Sequence, residues 1–90
     1  MRLEGKTAII TGASNGMGAS DAKLFASEGA NVVLADIDLE SGKRLEDEIS
    51  KAGGNAQFEF CDVSSEENWQ SMTSDVINKY GALDILVNNA

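Results

Sequence analysis

The sequence predicts an α/β fold: a parallel sheet with helices on both faces and the element order βαβαβαβ. Two observations carry this. Along the 90 residues, apolar runs of strand length alternate with longer runs whose apolar positions recur at three and four. Such alternation implies parallel strands joined by right-handed crossovers. The second observation is a glycine-rich stretch, Thr11-Gly12-Ala13-Ser14-Asn15-Gly16-Met17-Gly18, lying between the first apolar run and the first helical one.

Lys6–Thr11 is the first strand, and its near-continuous apolar character suits a strand covered on both faces. The helix after Gly16 runs to about Glu28. Gly18, Ala22, Phe25, Ala26 and Gly29 give it a small-residue face that can lie close to a sheet, and Gly29 is a natural stop. Asn31–Ala35 is the second strand. Asp38 is the expected N-cap of a second helix, Leu39 to Ala52, with Leu45, Ile49 and Ala52 inward and Lys43, Arg44, Glu46, Asp47 and Glu48 on a solvated face. Gly53-Gly54 ends it. The third strand is about Ala56–Phe60. Ser64-x-x-Glu67 has the pattern of a capping box and predicts the start of a third helix, along which Trp69, Met72, Thr73, Val76 and Tyr80 form the inward stripe. Gly81 stops that helix, and Asp84–Val87 is the fourth strand.

Composition narrows the function. An apolar fraction of 42% with 24% charged residues is ordinary for a globular chain. Seven Lys and Arg against 15 Asp and Glu give a net charge of −8, which argues against a nucleic-acid partner and against an anionic membrane surface. No apolar run approaches spanning length, and Met1-Arg2-Leu3-Glu4-Gly5 has no signal-peptide h-region. A single cysteine, Cys61, excludes an internal disulfide and fits a reducing compartment, so a cytoplasmic location is expected. With no His and one Cys, no metal site is expected. Cys61 has no His or Lys near it in sequence to activate it and reads as an inert thiol.

The glycine stretch carries the chemistry. Glycine reaches positive φ and leaves room for close backbone approach, and a helix that starts at such a loop points free N–H groups and a positive dipole end at the gap. A phosphate is the natural occupant. The spacing is neither G-x-G-x-x-G nor the P-loop pattern, because no Lys follows Gly18. Asp36 ends the second strand 18 residues past Gly18, near the offset expected for an acid that grips a ribose hydroxyl. As alternatives, the glycines form a plain turn and Asp36 is a helix cap or a solvated loop acid. Ser14 and Asn15 either add side-chain donors or only shape the loop. Met17 contributes a backbone N–H, with its side chain expected in the core.

T-G-x-x-x-G-x-G at 11–18, Asp36 after the second strand, Asp62-Val63 after the third and Asn88-Asn89-Ala90 at the end together resemble the compact members of the short-chain dehydrogenase/reductase family. The extended members carry T-G-x-x-G-x-x-G instead. The resemblance runs from Gly5-Lys6 to Ala90, with one departure at Asp21, where a small or apolar residue is usual. It implies a Rossmann-type sheet in the order 3-2-1-4, with the motifs meeting at the switch point beyond the carboxyl ends of the strands.

The resemblance also implies roles. Gly12, Gly16 and Gly18, with Ser14, Asn15 and Met17, would receive the pyrophosphate of NAD. Asp36, followed by Ile37, would hold the adenosine ribose. Asp62 and Val63 would hold the adenine edge, and Asn89 and Ala90 would line a ribose. Asn88 would brace the sheet, and Trp69 and Tyr80 remain core. Asp36 would repel a 2′-phosphate, and neither Asn15 nor Ile37 supplies a cation for one, so NAD is expected over NADP. The family's catalytic Ser, Tyr and Lys, the last two as Y-x-x-x-K, have no match: Tyr80 is followed by Gly-Ala-Leu-Asp. No catalytic residue is therefore expected in this chain. It reads as the amino-terminal part of a single NAD-binding domain, incomplete and without an internal boundary. Its parent would be a homo-oligomeric oxidoreductase moving hydride between NAD and a small alcohol or ketone. A stand-alone nucleotide-binding or interaction module without catalysis is the alternative. A methyltransferase-type fold is a weaker one, disfavoured by the Asn-Asn-Ala ending.

Overall fold

The computed structural model describes residues 2–89. Its elements are β1 (Thr7–Thr11), α1 (Gly16–Ser27), β2 (Asn31–Asp36), α2 (Leu39–Lys51), β3 (Asn55–Phe60), α3 (Glu66–Tyr80) and β4 (Ile85–Asn88). The sheet is parallel throughout, in the order β3-β2-β1-β4. The chain therefore steps outward from β1 to β3 and then crosses to the other side of β1. Loops at the carboxyl ends of β1 and β4 part company there, which opens the crevice that such sheets use for ligands.

Local chemistry sets the helix boundaries. The Asp38 carboxylate accepts from the Ser41 N–H at 3.1 Å and caps α2, as its sequence predicts. The cap of α3 is Ser65, whose hydroxyl oxygen accepts from the Asn68 N–H at 3.2 Å, and not Ser64. Ser64 is diverted: its N–H and its hydroxyl both donate to Asp62 Oδ1, at 3.0 and 2.6 Å, in a turn that precedes the helix. Gly81, at φ 86°, ends α3 in the left-handed conformation, and its N–H closes on the Ile77 carbonyl at 2.8 Å.

The core has two layers divided by the sheet. On one face, Ile10, Val32, Leu34 and Phe58 meet Ala22 and Ala26 of α1 and Leu45 and Ile49 of α2. On the other, Ile9, Val33, Ala35 and Cys61 meet Met72 and Val76 of α3, with Trp69, Tyr80 and Leu83 packed against them. Alternate residues of β1 and β2 thus serve opposite layers, which is why both strands read as unbroken apolar runs. Small residues bring α1 close to the sheet. Gly42 does the same for α2, where a Cβ would fall 2.1 Å from the Phe58 ring.

The two sheet edges differ. On β3, Glu46 accepts from the Phe58 N–H at 2.5 Å, and Gln57 is engaged by Lys79 and by the Tyr80 hydroxyl. On β4, Leu86 is half exposed, and Ile85 and Val87 are only partly buried. Asp84 locks the start of β4 to β1 by exchanging two hydrogen bonds with Thr7, both at 2.9 Å. No helix among the described residues is long and apolar enough to cross a membrane.

Candidate dinucleotide site

The glycine loop is built by three different glycine requirements. Gly12 sits at φ 61° directly after β1, donates its N–H to the Ala35 carbonyl at 3.0 Å, and lies so near Asn89 that a Cβ would be 3.3 Å from that residue's carbonyl. Gly16 takes φ 57° to turn the chain into α1, and a Cβ there would meet nothing within 4 Å. Gly18 is helical and buried, and its hypothetical Cβ would fall 2.2 Å from the Gly12 carbonyl oxygen. Gly12 and Gly16 therefore serve backbone conformation, Gly18 serves the packing of α1 onto the loop, and only Gly16 faces open space.

Of the three helices among the described residues, α1 alone has no side-chain cap and no acid in its first turn. Its first ladder bond runs from the Ala19 N–H to the Asn15 carbonyl at 3.3 Å, so the preceding N–H groups stay outside the helical ladder. Asn15 adds no side-chain cap, although it occupies the N-cap position in an extended conformation. Met17 is 75% exposed, which corrects the expectation that its side chain joins the core. It lies off the Gly18–Ala22–Ala26 face that α1 buries.

Thr11, to which sequence reasoning gives no role of its own, joins the ends of two strands. Its buried hydroxyl donates to Asn88 Oδ1 at 3.0 Å and accepts from the Asn89 N–H at 3.1 Å. It ties the end of β4 to the end of β1 and sets Asn89 against Gly12. Asn88 braces the sheet as expected.

Asp36 stands where β2 ends. One carboxylate oxygen accepts from the Ser14 N–H and the other from the Asp38 N–H, both at 3.1 Å. Partial burial pushes the Asp36 carboxyl up, but the hydrogen bonds from Asp38 and Ser14 outweigh it and hold the group below the usual carboxylate value. Ile37, beside it, is 62% exposed. At the end of β3, the Ser64 hydroxyl and N–H hold the exposed Asp62 below its ordinary value as well. Val63 is exposed next to it. Cys61 is buried, and desolvation, with Asp62 and Glu59 nearby, pushes its thiol up, away from the thiolate form. Ala90 lies outside the described residues.

Two cavities bear on the assignment. One of about 220 Å³, between the ends of β1 and β4 and the start of α3, is lined by Thr11, Val63, Trp69, Leu86 and Asn88. Trp69 thus touches the core and a cavity at once. A larger one of about 460 Å³ lies at the opposite end, between α1 and α2, among Lys23, Ala26, Glu48, Ile49 and Ala52. That one lies at the carboxyl ends of α1 and α2, where the helix dipoles are negative, and the Lys23–Glu48 ion pair at 3.1 Å neutralises its cation. It is unsuited to phosphate despite its size.

A family model described as short chain dehydrogenase matches residues 6–90. Tropinone reductase-like 1 of Erythroxylum coca is 48% identical over 89 residues, covering 99% of this chain and 32% of that protein. A metagenomic short-chain oxidoreductase crystallised in complex with NADP superposes with a TM-score of 0.96 at 41% identity, covering 100% of this chain and 41% of the other. A 7 alpha-hydroxysteroid dehydrogenase complexed with NADH and 7-oxo glycochenodeoxycholic acid gives 0.92 at 45% identity, covering 97% and 34%. The chain spans about a third of the length of the curated relatives it matches.

Proposed function

The chain belongs to the short chain dehydrogenase family, and on that premise we propose that it forms the cofactor-binding part of an NAD-dependent oxidoreductase. The whole protein would transfer hydride between NAD and a small alcohol or carbonyl substrate. We treat residues 1–90 as part of one NAD-binding domain with no internal boundary. The observation that carries the reading is the uncapped start of α1, opening from a loop bent by two left-handed glycines. N–H groups outside the helical ladder and the positive end of the helix dipole suit a pyrophosphate, and the open space at Gly16 leaves its backbone approachable.

On this reading Gly12, Gly16 and Gly18, with Ser14, Asn15 and Met17, hold the pyrophosphate. Asp36 accepts from the hydroxyls of the adenosine ribose, with Ile37 beside it. Asp62 and Val63 take the adenine edge, and Asn89 and Ala90 take a ribose. NAD, when bound, supplies the hydride acceptor. The chain's own residues bind and orient it, and none of them is assigned a proton transfer, because the Y-x-x-x-K pattern is not in this sequence.

The choice of NAD over NADP rests on Asp36. Its carboxyl is held low, so it is ionised at neutral pH and opposes a 2′-phosphate. The neighbour complexed with NADP and the one complexed with NADH leave both cofactors within the family's range. Equilibrium binding of NAD and NADP to the purified protein tests the choice. NAD should bind tighter, and Asp36→Ala should weaken NAD and narrow the difference. Tighter binding of NADP to the wild type would refute the role given to Asp36.

A further inference from the structure

Asp36 makes contacts that a ribose acceptor does not need. Its Oδ2 accepts from the Ser14 N–H, in the middle of the glycine loop, and its Oδ1 accepts from the Asp38 N–H at the start of α2. The Ser14 hydroxyl continues the link to the Asp38 carbonyl at 3.4 Å. The loop is otherwise tied to β2 through the Gly12 N–H and the Ala35 carbonyl. Ser14 lies between Gly12 and Gly16, both at positive φ, where a chain has the most conformations to lose. A fixed acceptor at that point selects one of them.

We propose that Asp36 is a positioning residue for the glycine loop: its carboxylate holds the Ser14 amide and so sets the backbone that receives the pyrophosphate, in addition to any ribose contact. The proposal rests on the dinucleotide reading above. The two functions are compatible in one side chain. A carboxylate offers about four acceptor sites, and the two N–H groups occupy two of them. Loss of the acid therefore loosens phosphate binding even in a ligand with no hydroxyl for Asp36 to grip.

The test uses two probes on the purified protein that carries this sequence: adenosine diphosphate and its 2′,3′-dideoxy analogue. Each is titrated calorimetrically against wild type, Asp36→Ala and Asp36→Asn. Amide hydrogen exchange of the 12–19 segment is followed in parallel. Asp36→Ala should weaken the dideoxy probe by about tenfold, the value of one charge-assisted hydrogen bond. Asp36→Asn, which keeps one acceptor oxygen, should recover part of that loss. Exchange in 12–19 should quicken in Asp36→Ala while β1 and β2 keep their protection. A merely structural role would loosen those strands too and would not be rescued by Asn. If Asp36→Ala weakens the diphosphate but leaves the dideoxy probe unchanged, the positioning role is overturned and the ribose role stands. If neither probe binds wild type, the dinucleotide reading falls. The exchange arm still decides the clamp in that case, and equal exchange in the two proteins overturns it.

Discussion

Replacing Gly18 with alanine sets two effects against each other. Gly18 lies inside α1 with helical geometry, and alanine there should stabilise by about 0.5–1 kcal/mol on helix propensity alone. The added Cβ, however, would stand 2.2 Å from the Gly12 oxygen, 2.8 Å from its carbonyl carbon and 3.0 Å from the Ala13 Cα. Those are backbone atoms, and they have little freedom to retreat: Gly12 is bonded to Ala35 on one side and lies against Asn89 on the other. Overpacking of a fixed neighbour costs about 1–3 kcal/mol. The account therefore predicts that Gly18→Ala is net destabilising, by up to about 2.5 kcal/mol. Tm should fall by several degrees. Thermal unfolding followed by circular dichroism is the assay, with calorimetric binding of adenosine diphosphate as a second readout, which should weaken in parallel. An unchanged or raised Tm would show that α1 does not rest on the loop, and would refute the packing argument for this glycine.

Ser65→Ala should cost about 1 kcal/mol in chemical denaturation, while Ser64→Ala, which removes only a bond to an exposed carboxylate, should be close to neutral. The reverse ranking would restore Ser64 as the cap. For Asp36, the folded carboxyl lies below its unfolded value, so its contribution is present above the unfolded pKa of about 3.9 and is lost as pH falls through the folded one. Acid titration of stability should therefore be shallower in Asp36→Ala than in wild type below about pH 4, and parallel curves would contradict the hydrogen bonds assigned to it. The 90-residue chain alone should self-associate despite its net charge of −8, because the β4 edge around Leu86 carries no guarding charge. Sedimentation giving a monodisperse, cooperatively unfolding monomer would show that edge to be harmless.

Much of the architecture is legible in the sequence because it is periodic. The unbroken apolar runs of β1 and β2 and the Met72–Val76 stripe of α3 each have one physical explanation, and the structure places them accordingly. What the sequence leaves unread depends on contacts between distant residues. Ser64 and Ser65 both precede α3. The capping-box pattern favours Ser64 because Glu67 follows at the right spacing, and only the turn at Asp62 shows that Ser64 is already engaged. Met17 is apolar and near a helix start, but its angular position beside Gly18 turns it outward. Thr11 meets Asn88 across 77 residues, and Ser14 meets Asp36 across 22, separations that no local pattern encodes.

The central claim is that the crevice at the carboxyl ends of the strands receives the dinucleotide. Amide hydrogen exchange of the purified protein with and without saturating NAD tests it most directly. The account predicts added protection in 12–18, at Asp36 and Ile37, at Asp62 and Val63, and at Asn89. Protection confined instead to Lys23, Ala26, Ile49 and Ala52, around the larger cavity at the opposite end, would contradict it.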